Sequence, residues 1–192
     1  MRKEPYLPPA ILLLIITTFL CSKMKSLLVA AIVALRKISF AYEFGIQYNR
    51  VKLSDLNIHG CNECYNAMYS EVTTTDKLSQ CAGPILFVGA KKDNTSTFLL
   101  GAYGLSSEIQ TLTEIDKPHL SYGVKWYKTS GYSFGFLDRR GQLLQSTADT
   151  GVDYPDSRLS WHLDQNVGGY RIGTLKELNG DSAWRKVIYC LN

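Results

Sequence analysis

No apolar run in this chain of 192 residues reaches the roughly 20 that a helix needs to cross a bilayer. The two longest, 8–21 and 26–35, are split by Lys23 and Lys25. Repeats and low-complexity linkers are lacking as well, so 42–192 reads as one domain of about 150 residues, enough for a single core. A second Cys-x-x-Cys and paired histidines are missing, which argues against zinc on His59, Cys61 and Cys64. Blocks of like charge are missing too. Lysines and arginines stand singly or in pairs such as Lys91-Lys92 and Arg139-Arg140, with Asp93 and Asp138 beside them, a poor footprint for nucleic acid.

What charge there is lies mostly at the start. Six of the 21 basic residues and one of the 17 acidic ones fall in 1–41, so 42–192 holds 15 against 16 and is about neutral. The stretch from Met24 has the anatomy of a secretory signal: Lys25 as the charged start, 26–35 as the apolar region, and Ser39-Phe40-Ala41 as a small-x-small cleavage site. The expectation is a signal peptide or signal anchor over 1–41, with cleavage after Ala41 and Met24 as an alternative start. Arg36 and Lys37, between apolar region and cleavage site, keep the uncleaved anchor open; only then would the protein contact a membrane.

Four cysteines follow this segment: Cys61, Cys64, Cys81 and Cys190. In a secreted domain an even number reads as two disulfides with three connectivities. The preferred pairing is Cys64 with Cys81 and Cys61 with Cys190, the second tying the chain's end to the domain's beginning. A thioredoxin-type redox pair needs a βαβ context that does not follow here. The Asn94-Thr95-Ser96 sequon falls in a predicted hairpin turn and marks Asn94 as a glycan acceptor.

From Cys81 onward the chain alternates short β-prone runs with turn residues. Runs at 84–90 and 97–103 form one expected hairpin, and runs at 122–128 and 132–137 another. Further strands are expected at 142–145, 158–164, 170–173 and 184–190, with short helical pieces at 105–112 and 175–178. The fold class is all-β: a disulfide-stabilised β-sandwich or jelly-roll-like single domain. Trp126 and Phe134 are expected in the core, Tyr127 and Tyr132 nearer the surface. The segment before Cys81 stays unassigned.

In Arg158-Leu159-Ser160-Trp161-His162-Leu163-Asp164, strand alternation puts Leu159, Trp161 and Leu163 on a core face and Ser160, His162 and Asp164 on the other. Residues so spaced on one strand spread over about 13 Å, too far for a Ser-His-Asp triad, and Ser160 sits in no nucleophile elbow. The better functional reading is a polar recognition strip. His162 and Asp164, continued by Asn166 and Arg171 across the turn at Gly168-Gly169, would orient a ligand on Tyr170 as a stacking platform. The structural alternative pairs Arg171 with Asp164 across the hairpin. Asp149, Asp153 and Asp156 could offer oxygens to calcium, but without EF-hand spacing a solvated loop is expected.

Taken in order, the blocks at 83–90, 100–104 and 132–136, then Ser157-Arg158-Leu159-Ser160-Trp161-His162-Leu163-Asp164, Gly168-Gly169-Tyr170-Arg171-Ile172-Gly173 and Trp184-Arg185-Lys186-Val187-Ile188-Tyr189-Cys190, resemble a group of small, uncharacterised, predicted-secreted eukaryotic proteins. The resemblance runs from about residue 60 to the end; it implies a common fold and a stand-alone domain, and carries no activity. A fainter likeness of 81–103 to the opening strands of TLDc domains stops before the later glycine and tryptophan blocks. The expected function is a secreted, non-catalytic β-domain that binds an extracellular glycan or protein through His162, Asp164, Tyr170 and Arg171. Alternatives are a hydrolase using His162 with an aspartate, or a structural secreted or coat component. No cofactor or metal is called for.

Overall fold

The computed structural model describes residues 44–49, 51–58 and 60–191. The signal region expected at 1–41, its cleavage site and His59 lie outside the described residues. Two five-stranded antiparallel sheets face each other. The first is ordered β1 (Gly45–Tyr48), β4 (Leu100–Leu105), β3 (Ile85–Lys92), β10 (Trp184–Leu191), β2 (Asn62–Met68). The second runs in chain order through β5 (His119–Ser121), β6 (Val124–Thr129), β7 (Ser133–Asp138), β8 (Leu159–His162) and β9 (Gly169–Ile172). Among the described residues three short helices, α1 (Leu53–Ile58), α2 (Thr75–Ser79) and α3 (Ser106–Ile109), decorate this all-β frame. Among the described residues no helix is long and apolar enough to cross a membrane.

Alternation builds the core. Leu86, Val88 and Ala90 of β3, Ile188 and Cys190 of β10, Trp126, Phe134, Phe136, Leu159 and Trp161 of the second sheet, and Leu163 just past β8 form one buried cluster. The Tyr65 and Trp161 rings meet in it at 5.8 Å between centroids. The last strand, β10, lies between β3 and β2, placing Val187 opposite Gly89 on one side and Asn66 on the other. Both outer faces are also covered. On the first sheet, Gly89 and Gly101 pair directly and leave room for the Phe87 ring, which stacks edgewise on Phe98. On the second, Leu143 packs with Tyr127 and Leu137.

The two expected hairpins are β3–β4 and β6–β7. The unassigned segment before Cys81 supplies β1, α1, β2 and α2. Residues 142–145 are no strand: only Gln145 makes a bridge, to Asp149, because the backbone of Gln142 is taken up by Asp153 and Arg158 instead. The helix expected at 105–112 shortens to Ser106–Ile109, and that at 175–178 gives way to a single 3-10 turn at Leu178–Gly180. Tyr127 is buried rather than surface-lying, its hydroxyl donating to the Leu159 carbonyl at 2.8 Å.

Cys64 and Cys81 are joined, as expected. The second pairing is not formed. Cys61 and Cys190 are both buried free thiols, and the Cys190 sulfur lies within 4.8 Å of the Cys64 and Cys81 sulfurs. Cys190 faces the core from β10, which brings its sulfur beside the bonded pair that flanks that strand.

Candidate functional site

The four residues of the expected strip part company. His162 ends β8 and Tyr170 lies on β9; their rings meet edge to face, 5.8 Å apart, in a hollow of about 500 Å³ that also reaches Gln165, Glu177 and Asn179. Burial pulls the His162 pKa below its ordinary value, against the opposing hydrogen bond between Nδ1 and the Thr147 carbonyl at 3.2 Å. Asp164, with a left-handed backbone (φ 56), leaves the strand altogether. Its carboxylate accepts from the Thr75 amide at 2.7 Å, the Thr75 hydroxyl at 2.6 Å and the Ser130 hydroxyl at 2.7 Å, tying α2 to the β6–β7 turn. Asp164 is thus a clamp between loops.

Arg171 has no exposed surface. Its guanidinium donates to the carbonyls of Gly173 and Gly151, the latter at 2.7 Å, rather than to Asp164. The face of the second sheet read as a ligand surface is roofed by the aspartate-bearing loop. Arg158 holds that roof: Nη1 reaches both oxygens of Asp149 at 2.7 and 2.8 Å, Nη2 contacts Asp153, and Nε donates to the Asp153 carbonyl at 2.7 Å. Burial pushes the Asp149 carboxyl up, while Arg158 and then Arg171 pull against it. The positive charge that the aspartates require is therefore a side chain of the same domain, which leaves Asp149 and Asp153 engaged by Arg158.

Gly131, Ser133 and Gly135 have the Gly-x-Ser-x-Gly spacing of a nucleophile elbow, which the sequence reading passed over. Here Ser133 opens β7 in an antiparallel hairpin instead of a strand-to-helix turn. It is fully buried, and although it sits opposite His162 its hydroxyl accepts from Gln145 Nε2 at 2.8 Å. Neither Ser133 nor the aspartates hydrogen-bond the His162 ring.

A second open site was missed by sequence reasoning. A cleft of about 520 Å³ is walled by Tyr48 from edge strand β1, Tyr154 from the roof loop, and Leu175 after β9. Both tyrosines are 42% exposed, an unusual commitment of two aromatic faces to solvent at one place. Ser157 borders the same cleft: it counters the rise that burial imposes on the Tyr48 pKa, and its hydroxyl donates to the Tyr154 backbone carbonyl at 2.8 Å. The Arg140 guanidinium lies 4.4 Å over the Tyr154 ring while its Nε donates to Asp138 at 2.8 Å, so its charge is offset. Asn49 and Thr174 add polar groups to the rim. Tyr154 sits at φ 45, a backbone region that non-glycine residues avoid. The only sequence signal was that Tyr-Pro lies in a polar loop.

Asn94 is exposed in the turn between β3 and β4. Comparison with family models, curated proteins and solved structures gives no match to this chain.

Proposed function

We infer that the domain is secreted and binds a carbohydrate, without catalysis, in the cleft between Tyr48 and Tyr154. The observation that carries this is the pair of partly exposed tyrosines, Tyr48 and Tyr154, that line one open cavity of about 520 Å³. Sugar rings present apolar C–H faces and a rim of hydroxyls, which suits aromatic walls edged by an amide and hydroxyls. Because Arg140 is matched by Asp138, and Asp156 also borders the cleft, a neutral glycan fits better than an anionic one. Strain at Tyr154 supports the same reading, since strained residues persist where something beyond local stability retains them. The secretory signal pattern, the Cys64–Cys81 bond and the exposed Asn94 sequon favour an extracellular setting. The hydrolase alternative loses support because His162 bonds the Thr147 carbonyl while Asp149 and Asp164 are engaged elsewhere.

The test is a glycan array with the secreted protein, followed by calorimetry on the best hit. Binding weakened about tenfold or more by Tyr48→Ala and by Tyr154→Gly, but not by Tyr170→Ala, is expected. Absence of any glycan hit, or affinity unmoved by both cleft variants, would remove this reading.

A further inference from the structure

Three sulfurs share one bond in this fold. Cys64 lies on β2, Cys81 precedes β3, and Cys190 lies on β10, the strand between them. Their Sγ atoms are all within 4.8 Å of one another, and among the described residues no other cluster of metal-type ligands is as close. Cys61 is buried and free but stands outside that group.

We propose that Cys190 is an internal attacking thiol for the Cys64–Cys81 disulfide, so that the bond migrates among the three sulfurs. Deprotonated Cys190 forms a bond to the sulfur of Cys81 or of Cys64. The old S–S bond breaks, its electron pair leaves on the other sulfur, and that sulfur takes up a proton. One thiol and one disulfide enter the step and one of each emerges, so neither oxidant nor reductant is consumed.

Position makes the exchange consequential. The bond in the structure ties β2 to the start of β3 across a sequence separation of 17. A bond from Cys190 to Cys81 instead fastens the final strand and closes a far longer loop, which constrains the unfolded chain more strongly in the chain-entropy picture. Burial of Cys190 makes access the gate: migration needs only enough opening at the end of β10 for the sulfurs to align.

The test uses the full chain secreted from an oxidising host and held folded at about pH 8.5, near the ordinary cysteine pKa, with no added thiol. Samples are quenched in acid, alkylated and mapped by mass spectrometry without reduction. Cys81–Cys190 or Cys64–Cys190 peptides growing with time are expected, unchanged in Cys61→Ser and abolished in Cys190→Ser. Persistence of Cys64–Cys81 as the sole bond at every time overturns the proposal. So does recovery of four thiols with bound zinc, which would make the cluster a metal site. The mapping of the native chain decides the matter even if Cys190→Ser does not fold.

Discussion

Arg158 grips both carboxylate oxygens of Asp149 through a single nitrogen, at 2.7 and 2.8 Å, and neither side chain has any exposure. Arg158 also donates to the carbonyls of Asp153 and Gln142, so the roof loop is gathered on one guanidinium. Gly151 shows how closely the loop is drawn down: a Cβ there would stand 2.4 Å from Arg158 Nη1.

Arg158→Leu strands the buried Asp149 carboxylate and should cost about 3–5 kcal/mol. Combining it with Asp149→Leu removes the orphaned charge, so urea unfolding should show the double variant losing clearly less than the two single losses summed. Simple additivity would mean the pair is not the anchor of the roof.

Lys186 is buried on β10, its ammonium donating to the Thr73 hydroxyl at 2.7 Å, and burial lowers its pKa from the ordinary 10.5 to about 7. Unfolded chain binds this proton across the whole interval from pH 7 to 10.5 while the folded domain releases it, so Lys186 makes stability rise with pH there. Lys186→Met lacks that dependence. Its stability relative to the parent should improve as pH falls from 10.5 to 7, by up to about 1.4 kcal/mol per pH unit, then level off below 7. Parallel urea curves at every pH would contradict the assignment.

Gly168 and Gly169 let the Tyr69 segment close against β9. A Cβ on Gly168 would fall 1.8 Å from the Tyr69 carbonyl oxygen, whereas one on Gly180 meets nothing within 4 Å. Gly168→Ala should therefore destabilise by about 3 kcal/mol or more, and Gly180→Ala by well under 1 kcal/mol, read from thermal melts.

Tyr154→Gly separates binding from folding. Glycine accepts φ 45 without strain, and that relief of about 1 kcal/mol offsets the lost stacking of Arg140. Stability should stay within about 1 kcal/mol of the parent while glycan affinity falls about tenfold. A large loss of stability would show Tyr154 to be a packing residue.

The alternation of Leu159, Trp161 and Leu163 was legible because β-strand geometry imposes a period of two wherever one face is buried. The β3–β4 and β6–β7 hairpins were legible for a similarly local reason, short β-prone runs broken by turn residues. The strip was read from that alternation too, and alternation names a face without saying what lies over it. His162 and Tyr170 kept their hollow, but Arg171 went under the roof and Asp164 turned away at a positive φ.

Local pattern by itself determined the all-β class and the core face of β8, since each depends on residue type and near spacing; it made Cys64–Cys81 the preferred pairing among three, and the structure selected it. Tertiary structure alone decided that β10 enters between β2 and β3, that Cys190 sits by a disulfide it does not join, and that Tyr48 and Tyr154 line one cleft. Those are long-range juxtapositions, set by how two sheets and a charged loop pack together, and no periodicity along the chain encodes them.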